Sequence, residues 1–165
     1  MCIRDRTWST TVFPIINIHA KPVFVDIDPR TYNIDTKKIE KAITKKTKAI
    51  LPVHLLGNPC KMDEIRKIAK KNNLYVIEDC CEALGAKIKK KKVGSFGDLS
   101  TFSFFISHHI TTMEGGMLVT NNEKFYFKSK VSKTLSFSLI MNCLSFMSSL
   151  VSIRPKSPPP APDGL

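Results

Sequence analysis

The sequence predicts an α/β fold with a mostly parallel sheet and helices on both faces, and three observations carry that expectation. Strand-like and helix-like patterns alternate between residues 13 and 128. The strand-like runs are almost continuously apolar, as strands covered on both faces must be. Polar residues collect at the ends of those runs, where open α/β sheets bind their ligands.

Each element has its own signal. Pro22-Val-Phe-Val-Asp26 reads as a buried strand and Asp28-Pro29 as a turn. Asp35 is placed to cap a helix of about three turns, whose apolar face is Ile39, Ala42 and Ile43. Ala49 to His54 is the next strand. Met62, Ile65, Ile68 and Ala69 recur at helical spacing with charges between them. Leu74 to Asp79 is a third strand, and Thr101–Phe104 and Met117–Thr120 are two shorter ones. Strands separated by helices imply βαβ units.

Composition narrows the function classes. A chain of 165 residues with 24% charged side chains has the make-up of one globular domain rather than a disordered segment. The formal net charge of +12 favours anionic partners. The lysine runs (Lys37-Lys38, Lys45-Lys46, Lys70-Lys71, Lys89 to Lys92) have no interleaved aromatics. They read as solvated helix faces and a turn, and no nucleic-acid partner is expected. Five cysteines form no CxxC pair and no disulfide framework, so reduced cytoplasmic thiols are the default.

Three regions follow. Residues 1–12 are a short N-terminal remnant whose first six residues, Met1 to Arg6, lack the apolar stretch of a signal peptide. Residues 13–128 form the α/β part. Residues 129–165 lose the alternation, becoming Ser/Leu-rich and then Pro-rich. Residues 135–153 carry no charge, but the serines and Asn142 inside them argue against a membrane anchor.

The polar residues at strand ends are Asp26, His54, Glu78-Asp79, Ser103 and His108-His109. Asp79 closes an apolar strand, so its carboxylate could hold a cationic ring nitrogen or cap a following helix. Ser103 could bind a phosphate oxygen or the backbone. His108 or His109 could act as a general base, and Gly115-Gly116 suggests a close backbone approach. His54, Cys60, Cys80, Cys81, His108 and His109 have no standard zinc spacing, so no metal is expected. Neither a dinucleotide fingerprint nor a P-loop is present.

The order of short motifs from Thr10 to Tyr126 resembles the DegT/DnrJ/EryC1/StrS sugar aminotransferases. Those are fold-type I enzymes dependent on pyridoxal 5′-phosphate (PLP). The matching motifs include Pro22-Val-Phe-Val-Asp26, Thr31-Tyr-Asn-Ile-Asp35, Pro52-Val-His-Leu55 and Gly57-Asn-Pro59. They continue with Val76-Ile-Glu-Asp79, Val93-Gly-Ser-Phe-Gly-Asp98, Phe102-Ser-Phe104 and Glu114-Gly-Gly116. The resemblance implies a partial PLP-binding large domain over residues 13–128. It fades after about Phe125, and the first six residues match none of it, so the chain reads as a fragment with foreign ends.

The resemblance also implies roles. Asp79 matches the aspartate that bonds the PLP pyridine nitrogen and keeps it protonated. Glu82 falls where aminotransferases usually carry Gln beside the ring. Ser103 matches the serine on the cofactor phosphate. The lysine that joins the cofactor covalently is expected five residues later, where this chain has His108. Ser103-Phe-Phe-Ile-Ser-His-His-Ile-Thr111 is similar to the deoxysugar 3-dehydratase subgroup, in which histidine replaces that lysine.

The implied reaction is C3 dehydration of a nucleotide-linked 4-keto-6-deoxyhexose, in deoxysugar and lipopolysaccharide O-antigen biosynthesis. It uses pyridoxamine 5′-phosphate (PMP), with His108 as the base. A homodimer is implied as well. In one subtype, cysteines downstream of the histidine motif bind an iron–sulfur cluster; here Cys143 alone lies downstream, and no cluster is assigned. The alternatives are a sugar aminotransferase of the same family, whose nearest downstream lysine would be Lys124, and an inactive remnant.

Overall fold

The computed structural model describes residues 2–4 and 7–133. In chain order the elements are β1 (Cys2–Arg4), α1 (Ser9–Asn17), β2 (Val23–Val25), α2 (Thr36–Ala42), β3 (Ala49–Leu51) and α3 (Met62–Lys71). They continue with β4 (Tyr75–Asp79), β5 (Lys87–Ile88), β6 (Lys91–Lys92), β7 (Leu99–Ser103), β8 (Gly116–Val119) and α4 (Glu123–Lys133). Six strands make one sheet in the order β2-β1-β3-β4-β7-β8, while β5 and β6 pair separately. Every pairing from β2 across to β7 is parallel, and β8 closes the edge antiparallel. The predicted α/β class is what the chain adopts.

Side-chain alternation along the central strands builds two cores. In β3 all three residues are buried. Ile50 packs with Ile39, Met62, Ile65 and Val76 beneath α2 and α3. Ala49 and Leu51 pack on the opposite face with Ile15, Ile77, Leu99 and Phe125, beneath α1 and α4. Each face needs its own helical cover, because a parallel strand that is apolar on both sides cannot meet water on either. The apolar stripe of α3 supplies part of that cover, with Met62, Ile65 and Ala69 buried.

Local signals account for the elements that match expectation. Asp35 caps α2 by accepting from the Lys37 N–H at 3.0 Å. That helix is shorter than expected: it stops at Ala42, and Ile43 is already extended. Asp26, a strand-end candidate, is exposed and paired with Lys38. The Lys89–Lys90 step is a turn, as expected, but it joins the strands of a small hairpin. Lys89 takes a left-handed φ of 55° there.

The sequence reading assigned no element to the short remnant of residues 1–12, and the structure has one strand and the start of a helix there. β1 lies inside the sheet, with Ile3 opposite Phe24 on one side and Leu51 on the other. α1 begins at Ser9 and carries Pro14 within it. Proline normally disfavours a helix interior because it lacks the N–H and crowds the preceding turn. Here the burial of Pro14 and Ile15 overrides that local preference.

Gly94 has a φ of +85°, and a Cβ added there would lie 2.5 Å from Cζ of the Phe102 ring. Gly94→Ala is therefore expected to lower stability by more than about 1 kcal/mol. The loss should read as a reduced urea midpoint, and an unchanged midpoint would contradict this packing.

Candidate functional site

The carboxyl ends of β3, β4 and β7 meet at one edge of the sheet. Parallel register sets Asp79 opposite Thr101, so Ser103, two residues further, extends past the end of β4 on the face that Asp79 shares. The chain leaving β3 is tied to the same place: the His54 N–H donates to the Asp79 carbonyl at 3.0 Å.

Glu78 and Asp79 are adjacent carboxylates with different surroundings, because successive strand residues point to opposite faces. Asp79 lies on the α1 side and is 8% exposed. Its Oδ2 accepts from the Thr11 hydroxyl at 2.8 Å, and its Oδ1 accepts from the Cys81 N–H at 3.1 Å. No helix follows Asp79 directly, so the carboxylate caps a turn rather than a helix.

Glu78 faces the other way and is fully buried. Its Oε1 accepts from the N–H groups of Phe96 at 2.7 Å and Gly97 at 2.6 Å, and from the Ser100 hydroxyl at 3.3 Å. Its Oε2 accepts from the Gly94 N–H at 2.9 Å and meets His54 Nε2 at 3.1 Å. The His54 Nδ1 accepts the Cys60 N–H at 3.0 Å, so the ring proton sits on Nε2 and is donated to Glu78. Burial pushes the Glu78 carboxyl up, but the bonds from His54 and from the Gly97 and Gly94 amides outweigh it and hold it below its ordinary range.

His54, Glu78 and Cys80 place their ligand atoms within 4.8 Å of one another, the one group of metal-ligand type among the described residues. It does not fit a metal. Both His54 nitrogens are engaged, and both Glu78 oxygens are saturated. Burial, then the charges of Glu78 and Asp79, push the Cys80 thiol far up, whereas a metal needs a thiolate.

Glu82 accepts the Leu56 N–H on Oε2 at 2.8 Å. That bond steadies a short turn, Leu55–Gly57, in which Leu56 has a left-handed φ of 48° and is 82% exposed. Ser103 is half-buried, and its Oγ accepts from the Phe105 N–H at 3.2 Å. Its own proton is not used by any hydrogen bond among the described residues. His108 is half-buried on the loop joining β7 to β8, anchored by its N–H to the Phe105 carbonyl at 3.0 Å. No hydrogen bond engages its imidazole among the described residues, and His109 beside it is exposed. The Gly115–Gly116 approach is real: a Cβ on Gly115 would lie 2.2 Å from Thr112 Oγ1.

The sequence reading singled out neither Thr11 nor Thr7. Thr7 Oγ1, two residues before α1, is the one buried side-chain oxygen without a hydrogen-bond partner among the described residues. The run Ser9-Thr10-Thr11 is a helix-start signal that could have drawn attention to this corner.

The parallel sheet carries a carboxylate, a hydroxyl and, on the loop beyond, an imidazole at the edge where open α/β sheets bind their ligands. Residues 2–142 match the DegT/DnrJ/EryC1/StrS aminotransferase family, and the chain belongs to it. The match takes in residues 2–6 and 129–142, which the sequence reading set apart. The chain is 50% identical over 120 residues to GDP-4-keto-6-deoxy-D-mannose 3-dehydratase of Yersinia pseudotuberculosis, covering 73% of this chain and 30% of that protein. It is 53% identical over 120 residues to GDP-perosamine synthase of Escherichia coli O157:H7, covering 73% of this chain and 33% of that protein. The structure of the E. coli GDP-4-keto-6-deoxy-D-mannose 3-dehydratase with bound hydrated PLP superposes with a TM-score of 0.75 at 41% identity, covering 85% of this chain and 38% of that one. The chain thus spans about a third of the length of the curated relatives it matches. The fold is part of the large domain of a fold-type I enzyme.

Glu78→Gln replaces an acceptor-only group with one that cannot receive every donor aimed at it. It is expected to lower stability by about 3 kcal/mol or more. The sign with pH follows from the lowered titration: Glu78 stabilises the fold above its ordinary value of 4.5 and loses that contribution as pH falls through the lower folded-state value. Urea unfolding at a series of pH values should show parent and variant far apart above 4.5 and converging below it. A gap that does not change with pH would refute the assignment.

Proposed function

We propose that this chain forms part of the cofactor site of a PLP/PMP-dependent enzyme that removes the C3 hydroxyl of a nucleotide-linked 4-keto-6-deoxyhexose. It would act in the cytoplasm, in deoxysugar or lipopolysaccharide O-antigen biosynthesis. The observation that carries this reading is the imidazole of His108 at the position where an aminotransferase needs a lysine amine, five residues after Ser103.

The residues fit the cofactor chemically. Asp79 offers a carboxylate whose two bound donors leave a lone pair on each oxygen for a ring N–H. Ser103 has an unused proton to donate to a phosphate oxygen. The Thr7 hydroxyl just before α1, buried without a partner among the described residues, is suited to an incoming polar group. When bound, the cofactor supplies an electron sink for bond breaking at the sugar carbon next to its point of attachment.

Asp79 would accept the ring N–H and keep that proton in place. Ser103 fixes the phosphate end. Glu82 steadies the Leu55–Gly57 turn and would lie near the ring. His108 would take the proton from the C4′ carbon of the cofactor, acting as the general base. Among the described residues no hydrogen bond holds its imidazole away from that role. The proposed homodimer gives a partner to the exposed Phe13 and Ile16 of α1 and Tyr126 and Phe127 of α4. No helix among the described residues is long and apolar enough to cross a membrane.

A second reading, a sugar aminotransferase, draws on the 53% identity to the perosamine synthase. It requires a lysine in contact with the cofactor. Borohydride fixes the cofactor to the chain only where such a lysine holds it. The expected outcome is PLP binding with the usual near-ultraviolet or visible band and no covalent retention after borohydride and denaturation. Retained label on a lysine peptide would select the aminotransferase.

His108→Asn should slow dehydration of a GDP-linked 4-keto-6-deoxy sugar by about 100-fold or more while PLP affinity stays near the parental value. Turnover at the parental rate would remove His108 from the mechanism.

A further inference from the structure

We propose that Thr11 is the positioning residue for the Asp79 carboxylate, holding it in the plane in which it meets a pyridine N–H. The inference rests on the reading of Asp79 as the partner of the cofactor ring. The Thr11 hydroxyl donates to Asp79 Oδ2 at 2.8 Å across 68 residues of sequence. Asp79 is the last residue of β4, so the strand ladder fixes its backbone but not its carboxylate. The last torsion of an aspartate is broad, with no deep staggered wells.

Two hydrogen bonds remove that freedom from opposite oxygens. The Cys81 N–H holds Oδ1 from the turn that follows β4, and Thr11 holds Oδ2 from α1. The Cys81 contact is local and moves with Asp79. The Thr11 contact is the one that refers the carboxylate to a separate element. Thr11 itself is preorganised, since a β-branched side chain in a helix has few accessible rotamers, and it lies in the first turn of a helix whose Ile15 is fully buried. Among Ser9, Thr10 and Thr11, the first two are exposed and Thr11 alone is half-buried. Its hydroxyl does not cap the helix; it reaches across to the sheet.

A merely structural tie between α1 and the sheet edge makes a different prediction, and Thr11→Val separates the two. Valine keeps the shape and removes the donor; Thr11→Ser keeps the donor. Three quantities are measured on the purified protein: the PLP dissociation constant and absorbance maximum, inhibition of PLP binding by inorganic phosphate, and the urea midpoint. The expected result is PLP affinity weakened about tenfold in Thr11→Val, with a shifted absorbance maximum. Competition by phosphate, which reports on Ser103, should stay at the parental concentration, and Thr11→Ser should restore both affinity and spectrum.

Parental PLP affinity and spectrum in Thr11→Val would overturn the proposal. So would a loss of PLP and phosphate binding together, in proportion to a lowered urea midpoint. Asp79→Asn serves as the control. If it binds PLP as the parent does, or if the parent itself binds none, the reading of Asp79 fails and the role of Thr11 falls with it. If Asp79→Asn loses affinity while Thr11→Val does not, the positioning role alone is refuted.

Discussion

The buried carboxylate of Glu78 holds the functional edge together. It receives bonds from His54 beyond β3, from Gly94, Phe96 and Gly97 in the connection to β7, and from Ser100 within β7. An unpaired charge in such a place would be strongly unfavourable, so burial is tolerated only because every oxygen is satisfied. The same requirement makes the arrangement specific. A shift of β7 along β4, or a different path for residues 94–97, would strand a carboxylate in the core. Register between the two strands that carry Asp79 and Ser103 is therefore enforced from behind, by a residue that faces away from both.

That placement assigns opposite duties to two neighbouring acids. Glu78 is saturated by donors from the protein and has no capacity left for a ligand. Among the described residues the Asp79 carboxylate accepts two bonds, from Thr11 and Cys81, and keeps a lone pair on each oxygen. The pleat separates them by one residue and one sheet thickness, so the charge that organises the fold and the charge proposed to meet the ring do not compete for the same donors.

Much of the frame was legible because its signals are local. Continuous apolar runs marked β2, β3 and β4, the 3–4 spacing of Met62, Ile65 and Ala69 marked α3, and Asp35 announced α2. What escaped is what tertiary packing decides. β1 is a three-residue strand that ends in a charged run, made a strand by the neighbours on either side. α1 contains a proline that local preference rejects and burial accepts. The site divides along the same line. Asp79, Ser103 and His108 stood out by type and order along the chain. The division of labour between Glu78 and Asp79 needed the sheet register, and Thr11 needed the fold itself, because nothing within one helix points to a partner 68 residues away.

The elements that carry the proposed groups differ in rigidity in a way that suits their tasks. Asp79 and Ser103 stand on paired strands, where recognition of a ring nitrogen and a phosphate demands fixed spacing. His108 stands on the β7–β8 loop. The base of that loop is braced, with the Phe104 N–H on the Gly115 carbonyl at 2.8 Å and the Thr112 N–H on the Phe104 carbonyl at 3.0 Å. Its outer part exposes Ile106, Ile110 and Met113. A group that moves a proton needs reach as well as position, and loops on a rigid scaffold supply both. Exchange of an amine for an imidazole at 108 therefore alters what the loop can do without disturbing the strands. On the proposed assignment, two activities could diverge at this one position while the residues assigned to ring and phosphate, on other elements, stay the same.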